Sequence, residues 1–223
     1  MNIDQTLRRY DTLVTLISRD FILFVVWPQG STPIDRLIDK SLRRICFMKR
    51  LILACSVVIG LCFPQSGVAQ TSDLNKLSNQ EIVARAPEIH PAALYILAAR
   101  LLREGNGQEA ANWMYAGQLR YRILITATKQ NSGSSEMTLF NALSEQVGRP
   151  VNEYVAGDPD DWIAAIDWAM DWDEKNPNAL VDKRTHATAI KEVRSGLVKL
   201  RTKVDSSREQ IVRDRAKKGL KNR

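Results

Sequence analysis

From Ala92 onward, apolar residues recur at steps of three and four, the spacing of one helical face. Leu94, Leu97, Ala98, Leu101 and Leu102 form one such stripe. Ala111, Met114, Tyr115, Gln118, Tyr121, Arg122 and Ile125 continue it on a second helix. The pattern predicts helices over 92–104 and 108–129, joined by Gly105-Asn106-Gly107 into an antiparallel hairpin. Ala110, Ala111, Ala116 and Gly117 are small enough to let the two approach closely. The alternating pattern of a strand is absent from residue 70 onward.

Start and stop signals place the other helices. Ser78 and Glu81 have capping-box spacing, so a short helix opens there and stops before Pro87. His90-Pro91 opens the 92–104 helix with proline in its first turn. Helices over 136–147 and 150–156 end at Gly148 and Gly157. Asp158-Pro159-Asp160-Asp161 combines a cap, an N-terminal proline and acids facing the helix dipole, and the helix it opens runs to Asn176-Pro177-Asn178. The last helix is expected over 185–218. Its seam of Ile190, Val193, Leu197, Leu200, Val204, Ser207 and Ile211 has one polar gap, and its end is expected to fray. The fold class is therefore all-α: a small helical bundle with a long basic C-terminal helix.

Residues 48–70 change where this bundle begins. Lys49 and Arg50 precede a mostly apolar run over 51–63, and Gly67-Val68-Ala69 supplies the small residues of a cleavage site, which together read as a secretory signal. The run is too short for a spanning helix and leaves no stable membrane anchor after cleavage. The reading puts the translation start at Met48, with residues 1–47 outside the mature protein. It makes 48–69 the signal, 70–182 the bundle and 183–223 the basic helix. The expected location is the periplasm or outside the cell. All three cysteines, Cys46, Cys55 and Cys62, lie upstream of the cut. A mature chain without thiols has no disulfide, thiolate metal site or cysteine nucleophile. Leu61 before Cys62 is a poor context for lipidation.

Charge is divided along the chain. Glu153 to Asp182 holds nine acids and one base, whereas Lys183 to Arg223 holds fourteen bases and four acids. The blocks could attract each other or serve separate partners. Export disfavours nucleic acid as the target of the basic segment. Its alternatives are an anionic envelope surface, an acidic protein or a solvated face.

Three constellations carry candidate chemistry. Trp113, Trp162, Trp168 and Trp172, with Tyr121, Arg120 and Arg122, are the candidate binding residues for a peptide or glycan. Large aromatics at helical spacing are more often core, with Trp168 or Trp172 left partly exposed. Arg100, Arg103, Arg120 and Arg122 are placed to pair with acids of the 158–175 helix. Asp158, Asp160, Asp161, Asp167, Asp171 and Asp173 lack the spacing of a calcium loop, while a glycan-cleaving carboxylate pair stays open. His90 and His186 have neither a serine nor a metal context. No catalytic residue, metal ligand or cofactor is expected.

The stretch from Ala93-Leu94-Tyr95 through Gly105 to Glu109, Ala110, Trp113 and Ala116-Gly117 resembles one helical hairpin of the Sel-one or tetratricopeptide repeat type. The resemblance covers about 30 residues. It implies protein binding and not catalysis, with another envelope protein as partner. The same residues also read as an ordinary hairpin inside a small bundle. The functional expectation is an exported interaction module. Its alternatives are an envelope glycan hydrolase using the 158–173 carboxylates, and a periplasmic immunity or inhibitor protein.

Overall fold

A computed structural model describes residues 73–131 and 133–223, all within a unit spanning Gln65–Arg223. The start site, the signal and its cleavage lie outside the described residues. The described chain is all-helical, as its pattern predicts. In order it forms α1 (Asn79–Arg85), α2 (Ala92–Arg103), α3 (Gly107–Ala127) and α4 (Ser135–Leu143). A π-helical turn at Ser144–Gly148 leads into α5 (Arg149–Val155), followed by α6 (Pro159–Lys175), α7 (Ala187–Ser206) and α8 (Arg208–Lys217).

The caps form as the sequence signals them. The Ser78 hydroxyl accepts from the Glu81 amide at 3.2 Å, while the Glu81 carboxylate accepts from the Ser78 amide at 2.7 Å. The Asp158 carboxylate accepts from the Asp160 amide at 2.9 Å and opens α6. At the hairpin, Gly105 has φ of +86°, the left-handed region that glycine enters without steric cost. Its amide donates to the Leu102 carbonyl and that of Asn106 to the Leu101 carbonyl, the paired bonds that close α2.

α3 is the axis of the bundle, packing on α2, α4, α5, α6 and α7. Nearly every face of it must therefore be buried. Ala110, Met114, Tyr115, Leu119, Tyr121 and Ile123 are all at most 1% exposed. Burying an axis this polar requires internal partners, and Gln118 and Arg120 are both buried. α7 crosses α3 and α6 through Val193 and Leu197.

Two expectations fail in instructive places. The 136–147 helix does not stay regular: it widens into the π turn at Ser144, a local departure that inserts a residue into the helical ladder. The C-terminal helix is not one rod with a fraying end. It breaks at Ser207 (φ −114°, ψ 11°), the polar gap in the seam, and α8 turns back onto the α5–α6 junction. There Arg215 donates to the Glu153 carbonyl at 3.0 Å, and the Arg223 amide donates to the Gly157 carbonyl at 2.8 Å. The Arg223 guanidinium lies 3.8 Å from the Tyr154 ring centre and pairs with Asp161 at 2.9 Å. Charge that looked like a solvated end instead docks on the acidic block.

Two outcomes follow. A Cβ on Gly107 would fall within the Tyr154 ring, so Gly107→Ala should lower unfolding free energy by about 1–3 kcal/mol, as overpacking does. In denaturant titrations the same change in a Tyr154→Ala background should cost nothing. Separately, the backbone and then the hydroxyl of Ser78 hold the Glu81 carboxyl below its ordinary range. A depressed carboxyl stabilises α1 fully above the unfolded pKa of about 4.3 and loses that contribution as pH falls through the folded value. Amide exchange in α1 should therefore quicken in acid, and should lose this acid dependence in Glu81→Gln.

Candidate functional site

The seven residues singled out from sequence fall into separate neighbourhoods. The first is built by α3 and α6. Trp113 meets Trp168 and Trp172 edge-on at 5.1 and 5.4 Å between ring centres, while Trp168 and Trp172 stack with planes 9° apart. The Arg120 guanidinium lies 4.5 Å from the Trp172 ring centre. Its Nε donates to Asp173 at 2.9 Å, and its two terminal nitrogens donate to the Pro87 and Asn176 carbonyls, each at 3.2 Å. Burial pulls the Arg120 pKa down, and Asp173 opposes that shift.

Asp173 is 1% exposed and draws three cations. Besides Arg120, Arg194 reaches it at 3.4 Å and Lys183 at 3.8 Å. Arg194 also pairs with Glu174 at 3.0 Å, and Lys183 donates to the Asn176 carbonyl at 2.8 Å. The other acids of α6 are similarly engaged. Asp167 holds Arg201 at 2.8 Å, Asp171 holds Lys175 at 2.7 Å, and Asp160 holds Arg208. The acidic block and the basic C-terminal helices thus spend their charge on each other. Each of Asp160, Asp161, Asp167, Asp171, Asp173 and Glu174 thus faces at least one cation.

The second neighbourhood joins α2, α3 and α4. The Tyr121 hydroxyl donates to Glu136 at 2.8 Å, and His90 Nε2 lies 3.2 Å from the same oxygen. His90 Nδ1 accepts from the Ala92 amide, so the ring caps α2 and its Nε2 carries the hydrogen that faces Glu136. Arg122 lies over the Phe140 ring at 5.4 Å, and burial pulls its pKa down to about 10. Trp162 stands apart from both groups. Its indole donates to the Tyr115 hydroxyl, which donates in turn to Asn152 at 2.8 Å.

Burial sorts these residues between the interior and the surface. Trp113, Tyr121, Trp162 and Arg120 are 0–5% exposed. Each lies on the buried axis α3 or on the inner face of α6 that packs against it, so none can meet a partner. Trp168, Trp172 and Arg122 are half-buried. Of the four arginines expected to reach the acidic helix, Arg120 does so. Arg100 instead donates to the Leu77 and Asn75 carbonyls at 2.5 and 2.8 Å.

The open concavity lies elsewhere, on the back of α2. A groove of about 690 Å³ runs between α2 and the arch of α4, the π turn and α5. Its apolar lining is Ala92, Ile96, Ala99 and Leu102 from one side and Leu139, Leu143, Val147 and Pro150 from the other. Arg100, Arg103, Gln146 and Asn75 supply its polar atoms, and no acid lines it. A signal for it was present in the sequence. Ile96 and Ala99 fall outside the stripe that faces α3, and a helix apolar on both sides needs a second partner. Among the described residues no group of three side chains could hold a metal ion.

The ion pair gives a sharp test. Asp173→Asn should lower unfolding free energy by about 3–5 kcal/mol, because Arg120 is left buried without its carboxylate. Arg120→Met with Asp173→Leu should cost less than the single change. The Pro87 carbonyl keeps the Ala179 amide and the Asn176 carbonyl keeps Lys183, so neither is orphaned. Denaturant unfolding of the three proteins measures the order.

No family model matches this chain, and neither does any curated protein or any solved structure.

Proposed function

We propose that this chain is an exported, non-catalytic binding module that docks a partner protein of the cell envelope in the groove between α2 and α4. The observation that carries the reading is that groove: a half-buried apolar trough left open on a bundle whose tryptophans and α6 carboxylates are largely engaged within the fold. The α2–α3 hairpin that builds one wall is the segment resembling a Sel-one or tetratricopeptide repeat, a resemblance that implies protein binding. The 48–69 stretch, read as a signal, supports a partner beyond the inner membrane. The carboxylates of α6, which a hydrolase would need, are engaged with arginines and lysines, so the binding reading stands ahead of the catalytic one.

A photo-crosslinking residue at Ile96 tests it in intact cells, with the same residue at Val198, exposed on α7, as the control. A discrete adduct from Ile96 and none from Val198, on a mature species beginning at Gln70, is the expected result. Equal labelling at the two positions, or none at Ile96, would overturn the proposal.

A further inference from the structure

The chemistry of the groove says more about its occupant. Along α2, Ala92, Ile96, Ala99 and Arg103 follow steps of four, three and four, a continuous row on one helix face about 17 Å long at 1.5 Å per residue. On the opposite wall Leu139 and Leu143 are one turn apart on α4, and Val147 continues the row through the π turn. Ile96, Ala99, Leu102, Leu139, Leu143 and Val147 are all half-buried, so the trough is apolar and still reached by solvent. Two helical walls over a floor partly made of alanine leave a space that a third helix fills at ordinary interaxial distance. An open trough of this kind would leave an acyl chain wet along its length, whereas an amphipathic helix buries its apolar face there and keeps its polar face in water.

Charge selects among such helices. Arg103 is exposed, and among the described residues it makes no hydrogen bond or ion pair. Arg100 is held by the carbonyls of Leu77 and Asn75 and by the Asn79 side chain at 3.4 Å, all of them neutral groups. Glu104 accepts at 3.3 Å from the same Asn79 side chain that Arg100 reaches, and Glu145 pairs with Arg149. One end of an apolar trough therefore carries two guanidinium groups, neither of which pairs directly with a carboxylate among the described residues.

We infer that the groove takes an amphipathic helix of a partner protein, about three turns long, whose apolar face carries Asp or Glu where it meets Arg100 and Arg103. The inference rests on the binding reading above and goes further, by fixing the secondary structure and charge of what binds. The acids give orientation and association rate more than raw affinity, and the apolar row supplies most of the buried area.

The test is a displayed library of helix-favouring peptides of about 16 residues, selected against the protein as it is recovered from cells. Enriched sequences should carry apolar residues at steps of three and four with acids at one end. They should weaken on the order of tenfold against Arg103→Glu and lose affinity as salt rises. Among the described residues the Arg103 side chain has no partner to lose, so that variant should keep the parent's unfolding midpoint. Ile96→Ala should weaken the same peptides without changing the salt dependence. Enrichment of basic or non-helical sequences, indifference to Arg103→Glu, or no enrichment at all would overturn the inference. The Ile96 crosslink is read independently: an adduct there with a library result of that kind removes the acidic helix and leaves the binding module standing.

Discussion

A buried guanidinium in the middle of the central helix sets the terms for the rest of this bundle. Arg120 sits on α3, which other helices surround, so its charge has no route to water and must be met inside. One carboxylate, two carbonyls and an indole face meet it. Those groups come from the α1–α2 linker, the last turns of α6 and the loop beyond. Satisfying one side chain therefore fixes where three stretches of chain must lie. Buried ion pairs add little net stability, because desolvation offsets the attraction, but a wrong arrangement would strand a charge. Arg120 thereby selects this packing over competing ones.

Asp173 carries the same constraint outward. Buried beside Arg120, it also draws Lys183 and Arg194, which enter from the start of the basic segment. Arg201, Arg208 and Arg223 then repeat the pairing along α6 at Asp167, Asp160 and Asp161. Taken singly, such half-exposed pairs contribute under about 1 kcal/mol each. Their value lies in register: acids spaced along α6 and arginines spaced along α7 and α8 match in only one alignment. The break at Ser207 serves that alignment, since a straight helix would carry Arg215 and Arg223 away from the α5–α6 junction.

Much of this was legible in the sequence, and the boundary is physical. Helix positions follow from local signals: the Ser78–Glu81 box, the Asp158-Pro159 start and the Gly105 stop each act within one turn of chain. The segregation of charge was visible, and so was the weak point in the last seam. Partners were not visible, because Arg120 and Asp173 are brought together by tertiary packing across 53 positions. For the same reason the tryptophans could not be sorted. Trp162 and Trp168 lie on one helix, yet the first is fully enclosed by Tyr115 and the second is half in solvent. The π turn has no local signature at all in Ser144 to Gly148, and the groove depends on the arch it makes.

The groove stands out against how much of the charge and aromatic surface is engaged within the fold. A bundle that pairs its acids with its bases and folds its tryptophans against its own arginine has few features left to offer a partner. What remains is the side of α2 that α3 does not cover, where Ile96 and Ala99 stand half-buried at core-like spacing with no helix of the described residues over them. Covering that row with a further helix would have closed the bundle. Leaving it open exposes apolar surface to water at about 25 cal/mol per Å², a standing cost that makes sense for a surface used in binding. The two guanidinium groups at its end keep that surface from being uniformly greasy, and they give an incoming helix one preferred direction.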